Sequence, residues 1–259
     1  MRKRLILTMS LAVGVMALAT AAALAANPAG PGADGNVQGW SATVSPSKLS
    51  KSKPQFASLN VVTDLSTTTA SNGVPVPANR AVLDFDKNVK LSTKGIPTCT
   101  NAKLQNTTTT QAKGVCPNAV VGSGAATVLI PVGTTVFTEN VTVTAFNGVP
   151  QGGKPVLLVH TFGSTPVQVS TILVGTISNY NKQGYGPRLD VQIPPIAGGT
   201  GSLTHFQTKV NRKYKYKGKK RSYVSAMCTN KKLKYRGAFT FADSQTLTPT
   251  GTQKCAPKK

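Results

Sequence analysis

LTHFQTKVNRKYKYKGKKRSYVSAMCTNKKLKYRGAFTF, residues Leu203 to Phe241, is the most patterned stretch of this 259-residue chain. Between Lys209 and Arg236 it carries twelve Lys or Arg and no acid. Lys213, Lys215 and Lys217 alternate with Tyr214 and Tyr216, and Lys232, Lys234 and Arg236 alternate with Leu233, Tyr235 and Gly237. A period of two sends successive side chains to opposite faces of a strand. The stretch therefore reads as a basic β-meander over 203–241, with one face in the core and one face of cations. In that reading Tyr214, Tyr216 and Tyr235 point inward, and two basic rows flank a central strand at Ser222–Cys228, roughly 10 Å apart.

The same signal extends through the chain. Further strands are expected at Gln55–Val62, Arg80–Asp86, Ala119–Val132, Val136–Phe146, Pro155–Phe162, Val167–Ser178, Arg188–Ile193 and Gln245–Thr252. These runs are rich in Val, Ile, Thr and Phe, and Gly, Pro and Asn separate them. No run after residue 25 has helical periodicity. Ten or more short strands with regular turns predict an all-β fold. An antiparallel β-sandwich, including its jelly-roll form, comes first and a closed barrel second.

Residues 1–25 read as a secretory signal peptide. Arg2, Lys3 and Arg4 precede an apolar run that ends in Ala23-Leu24-Ala25. Residues 26–39 are Gly/Pro-rich and read as a disordered lead-in. Trp40 then opens a single domain, 40–259, with Ser45–Pro54 as a basic connector. Cleavage removes three of the 30 basic residues and none of the seven acids, leaving a net charge of +20. From His205 onward there are fifteen Lys or Arg against one acid, Asp243. A field of this sign attracts polyanions and is screened by salt.

Four cysteines behind an export signal imply two disulfides. Of the three connectivities, Cys99–Cys116 with Cys228–Cys255 closes the shortest loops. Zinc has no C-x-x-C or clustered His to hold it. Thr107–Thr110, inside the first loop, reads as a solvated excursion. Asn106-Thr107-Thr108 and Asn140-Val141-Thr142 match the glycosylation sequon.

Several blocks carry a resemblance: LDFDKNVKLSTKGIPTC (Leu83–Cys99), CPNAVVGSGAA (Cys116–Ala126), the stretch from Asn147-Gly148 to His160, IPPIAGGTGSLTHF (Ile193–Phe206), YKGKKRSYVSAMC (Tyr216–Cys228) and GAFTFADSQTL (Gly237–Leu247) running on to Cys255. Together they resemble a family of secreted β-sandwich proteins from soil actinobacteria, across most of the exported chain. The resemblance supports the export and disulfide readings and carries over no catalytic residue. Ser244 stands where those proteins tend to have Gly, which puts a tight turn at Asp243-Ser244 in question.

Catalytic chemistry has little material. His160 ends an apolar run and reads as a hydrogen-bonded strand-end residue. His205 stands at the entrance to the basic stretch, and a pocket gathering His160, His205 or Asp190 would be the place to look for a site. No G-x-S-x-G elbow exists. Asp84 and Asp86 share a strand face, but a solvated strand-end pair is the simpler reading than a glycosidase dyad. With Asn88 they imitate the start of a calcium loop, yet Val89 and Gly95 stand where Gly and Glu are needed. Gly198-Gly199-Thr200-Gly201-Ser202 lacks the lysine of a phosphate loop.

The sequence therefore reads as a non-catalytic exported protein of the cell envelope, with no cofactor or metal. Its candidate polyanion-binding residues are Lys213, Lys215, Lys217, Lys219, Lys220, Arg221, Lys232, Lys234 and Arg236. An anionic cell-wall polymer or acidic polysaccharide is the expected partner, with an anionic lipid surface or extracellular nucleic acid behind it. The rival readings are a structural or adhesive envelope protein whose charge serves only solubility and retention, and a secreted hydrolase with an unrecognised site.

Overall fold

The structure, a computed structural model, describes residues 28–258. The expected signal peptide lies outside the described residues. The strands are Asn36–Ser45 (β1), Lys48–Ser50 (β2), Gln55–Thr67 (β3), Ala78–Asp86 (β4), Val89–Leu91 (β5), Val120–Val132 (β6), Thr135–Gln151 (β7), Lys154–Gly163 (β8) and Val169–Asn179 (β9). They continue with Tyr185–Gln192 (β10), Ser202–Val210 (β11), Lys213–Tyr216 (β12), Lys219–Ser222 (β13), Val224–Ala226 (β14), Lys232–Phe241 (β15), Thr246–Leu247 (β16), Thr250–Lys254 (β17) and Ala256–Lys258 (β18). Two short helices, Asn101–Leu104 (α1) and Thr109–Val115 (α2), lie between β5 and β6.

Fourteen strands form one antiparallel sheet, in the order β16-β15-β4-β10-β9-β8-β7-β6-β11-β3-β14-β5, with β1 on β3 and β17 on β15. The fold is all-β, as the alternation predicts. The sheet doubles over so that its two halves face each other across an apolar core. Trp40 of β1 meets Phe85 of β4 and Tyr235 of β15 edge-on, with centroids 5.9 and 5.2 Å away. Edge-to-face packing of this kind adds to the stabilisation from burial alone.

At the seam between β1 and β17 one side chain makes hydrogen bonds to the facing strand. Gln253 of β17 is buried; its Nε2 donates to Val44 O at 2.8 Å, and its Oε1 accepts from Val44 N at 2.6 Å. Its amide thus occupies the place of a strand's backbone against β1. Beyond it, Cys228–Cys255 and the parallel pair β18–β2 finish that end. The second disulfide is Cys99–Cys116. Both are the expected pairs.

Tight turns and close approaches set the register. Gly152 and Gly153, at φ 54° and 73°, close the β7–β8 hairpin in the left-handed region that suits a right-twisted ribbon. Between β6 and β11 the backbones come so close that a Cβ on Gly124 would stand 1.8 Å from Gln207 O. The Asp243-Ser244 turn does form: Ser244 takes φ 69° and donates its N–H to Phe241 O.

Four expectations need correction. The 203–241 stretch is not a meander. A strand has two edges, and those of β11 are taken by β6 and β3, those of β14 by β3 and β5, and those of β15 by β4 and β17. The lead-in is ordered from residue 28: Ala29 bridges to Gln38, and the side chain of Asn36 donates to Val76 O and accepts from Val76 N. The Ser45–Pro54 connector contains a strand, β2. The Cys99–Cys116 loop holds both helices. Thr108 and Gln111 form a reciprocal capping box at the start of α2, and Thr100 caps α1.

Candidate anion-binding site

The hairpin β12–β13 stands apart from the large sheet as a two-stranded unit. Its turn is Lys217-Gly218, with φ 48° and 72°, a two-residue loop with both residues left-handed. The register pairs Tyr214 with Arg221, Lys215 with Lys220, and Tyr216 with Lys219. Alternation places Lys213, Lys215 and Lys220 on one face and the tyrosines on the other. The tyrosine face docks the hairpin. Tyr214 Oη donates to Lys94 O at 2.9 Å. The Tyr216 ring lies over Gly95, where a Cβ would come within 2.3 Å of it. Both rings are half-buried, whereas Lys213, Lys215, Lys217, Lys219, Lys220 and Arg221 are exposed.

A cleft of about 550 Å³ opens at the base of this hairpin. Lys209, Arg212 and Lys213 line it, together with Ser45, Ser58, Asn211 and Phe56, and no acid does. Arg212 is held in the bend between β11 and β12; its carbonyl accepts from Tyr223 N at 2.8 Å. Its Nε is buried and has no hydrogen-bond partner among the described residues. A buried guanidinium N–H left unpaired is costly. Phe56 is 43% exposed at the rim, an aromatic face open to solvent.

The other three expected binding residues lie elsewhere and are differently employed. Lys232 is exposed at the start of β15, opposite Lys254. Lys234 Nζ donates to Gln183 O, and its ammonium lies 4.7 Å from the Tyr185 ring. Arg236 donates to Asp84 Oδ2 from Nη2 at 2.6 Å and from Nε at 3.1 Å. Arg188 takes the same carboxylate from the far side, Nε to Oδ1 at 2.6 Å and Nη2 to Oδ2 at 3.0 Å. Tyr180 and Tyr185 cover the guanidinium groups: Arg188 lies 3.9 Å from the Tyr180 centroid and Arg236 4.9 Å from that of Tyr185. Burial alone would raise the Asp84 carboxyl. The hydrogen bonds from Arg188 and Arg236 outweigh it and hold Asp84 below the usual carboxylate range.

Asp84 and Asp86 are therefore not a solvated pair; both are buried. Asp86 accepts from Asn88 N at 2.9 Å and from Lys234 N at 3.0 Å. Their oxygens are engaged by arginine and backbone rather than arranged around a calcium ion.

The histidines and Asp190 do not share a pocket. His160 is fully buried on β8 beneath the helical segment, its Nε2 2.9 Å from Thr107 O and 3.1 Å from Thr107 Oγ1. Burial lowers its basicity, opposed by the bond to the Thr107 carbonyl. It ties the Cys99–Cys116 loop to the sheet, so Thr107 anchors that loop and is no solvated excursion. His205 pairs with Asp64 on an exposed strand face, Nδ1 to Oδ1 at 2.7 Å. Asp190 is bound by Arg80 in a two-bond fork of 2.8 and 2.6 Å.

Six of the nine expected cations thus sit together, and the sequence reading overlooked the cleft beneath them. Its signal was Asn211-Arg212, which interrupts the alternation between Lys209-Val210 and Lys213-Tyr214 and so marks a bend that turns a cation sideways. No protein-family model, no curated protein and no solved structure matches this chain.

Proposed function

We propose that this protein is a non-catalytic exported binder of anionic polymer at the cell envelope, using the β12–β13 hairpin and the cleft at its base. The carrying observation is Arg212: it lines a cleft shared with Lys209 and Lys213 to which no acid among the described residues contributes, and its buried Nε has no hydrogen-bond partner among those residues. Anionic groups of the polymer lie against Arg212 and the lysines, while Ser45, Ser58 and Asn211 meet hydroxyl groups. A phosphate- or carboxylate-bearing wall polysaccharide has both kinds of group. Single-stranded nucleic acid is less well served, because Tyr214 and Tyr216 turn their rings onto Lys94 and Gly95 rather than toward bases. Two disulfides suit the oxidising space outside a cell. Among the described residues no helix is long and apolar enough to cross a membrane.

The test is binding to a poly(glycerol phosphate) polymer, with neutral dextran as control. Arg212→Gln should weaken binding about tenfold, the scale of one charge-assisted hydrogen bond. Equal binding by Arg212→Gln and wild type would leave the charge with only solubility and retention as its use.

A further inference from the structure

The interior holds a second feature that the basic surface does not use. Between the two halves of the sheet lies a cavity of about 90 Å³. Its lining is mainly aliphatic and aromatic, with Leu59, Leu83, Leu157, Leu173 and Phe206 among the walls. Leu203 and Val210, at opposite ends of β11, both line it, so the space is elongated. At the Leu203 end it adjoins a hollow of about 100 Å³, and Ile193 and Leu203 line both. Pro77, Pro194, Pro195 and Ile196 form the walls of this outer hollow, alongside the exposed Ala197–Gly199 turn. Among the described residues no charged side chain lines either space. An apolar cavity of about 150 Å³ is known to stay dry and to accept small hydrocarbons, and these two spaces are of that order.

Three hydroxyl-bearing residues, Thr63, Thr208 and Tyr223, interrupt the apolar lining, and Tyr223 is the most deeply buried of them. Tyr223 is 1% exposed, sits at the Val210 end, and its hydroxyl has no hydrogen-bond partner among the described residues. Burial pushes that phenol well above its ordinary pKa, so it remains a neutral donor. Buried tyrosine hydroxyls usually find a partner.

We propose that the core cavity is a binding site for a small, uncharged, chain-like lipophile, which enters past Ile193 and Leu203 and offers an oxygen acceptor to Tyr223 Oη. A carbonyl or ether oxygen serves. A carboxylate does not, because no cation lines the route. The site is independent of the anion-binding surface, and either can fail without the other.

The probes are n-hexane, 2-hexanone and hexanoate, titrated into the full exported chain and followed by methyl chemical shifts and by melting temperature. Hexane and 2-hexanone should bind saturably, raise the melting temperature, and shift the methyls of Leu59, Leu157 and Leu173 more than those on the outer faces. Hexanoate should bind more weakly than 2-hexanone. In Tyr223→Phe the ratio of 2-hexanone to hexane affinity should fall about threefold to tenfold, the scale of one neutral hydrogen bond, while hexane binding persists. Leu173→Phe should fill the space and abolish both. Absence of saturable binding, methyl shifts confined to the surface, or tighter binding of hexanoate than 2-hexanone would overturn the proposal. An affinity ratio unchanged in Tyr223→Phe would overturn the role of Tyr223. If neither variant folds, the wild-type methyl map and the order of the three probes decide it.

Discussion

The hairpin β12–β13 and the strand β15 are written in nearly the same alphabet, K-Y-K-Y and K-L-K-Y-R, yet they use their cations in opposite ways. On β15, Arg236 and Lys234 are consumed. Asp84 from the next strand takes the first, Gln183 takes the second, and Tyr180 and Tyr185 cover them. On the hairpin, Lys215, Lys217, Lys219, Lys220 and Arg221 are exposed, and no acid among the described residues is bonded to them. The difference comes from neighbours. β15 lies beside β4, which brings Asp84 and Asp86; the hairpin pairs only with itself and rests on Lys94 and Gly95. Alternating cations establish a strand, and only the strand across from them decides whether the charge holds the fold or faces a partner.

This contrast can be broken at several points. Asp84→Ala should have the largest effect. It leaves two partly buried arginines facing each other without a counter-charge, and breaking such a pair costs about 3 kcal/mol or more, read as a lowered denaturant midpoint with an unchanged slope. The same carboxylate sets a pH dependence. Its folded pKa lies below its unfolded one, so its contribution is complete above the unfolded value and disappears as pH falls through the folded value. The wild type should therefore lose stability below about pH 4 more steeply than Asp84→Ala, as urea titrations across pH would show.

Effects on the hairpin should be smaller. Tyr214→Phe removes one hydrogen bond to Lys94 O and should cost about 1 kcal/mol, with faster amide exchange confined to residues 213–222. Lys215→Gln should change stability by less than about 0.5 kcal/mol. A melting temperature lowered as far by Lys215→Gln as by Asp84→Ala would end the distinction between the two regions.

His160 offers a separate check on the helical loop. Its folded pKa lies below 6.5, so the neutral buried form favours folding above that value and the benefit declines as pH falls below it. His160→Gln should flatten stability between pH 7 and about pH 5.

Much of the architecture was legible because sheets impose a period of two. β15 carries the expected alternation of Lys232, Lys234 and Arg236 with Leu233, Tyr235 and Gly237, and the local disulfides follow from short loops. Pairing was not legible. Nothing in Ser222–Cys228 shows that its edges go to β3 and β5, since strand partners are chosen by the whole sheet. The order of residues 28–39 was hidden for a different reason: it rests on buried polar groups, Asn36 and Gln38, satisfied by distant carbonyls. Gly/Pro-rich composition cannot reveal such bonds. The helical loop was legible and overlooked, since Thr108-Thr109-Thr110-Gln111 spells a capping box. Within the candidate site, the exposed lysines were visible and Arg212 was not. Its importance lies in a buried Nε, which only the bend at the base of the hairpin creates.

The salt dependence of polyanion binding tests the central claim most directly. Duplex DNA serves as a calibrated polyanion for wild type, for a hairpin variant with Lys213, Lys215, Lys217, Lys219, Lys220 and Arg221 all changed to Gln, and for a β15 variant with Lys232→Gln and Lys234→Gln. Six phosphate contacts give a log–log slope of about −5. With Lys209 and Arg212 of the cleft added, the account predicts a slope of about −7 for the wild type, a nearly unchanged slope for the β15 variant, and a slope of about −2 for the hairpin variant, which keeps only those two cleft cations. Equal losses in the two variants, or a hairpin variant that binds like wild type, would contradict it.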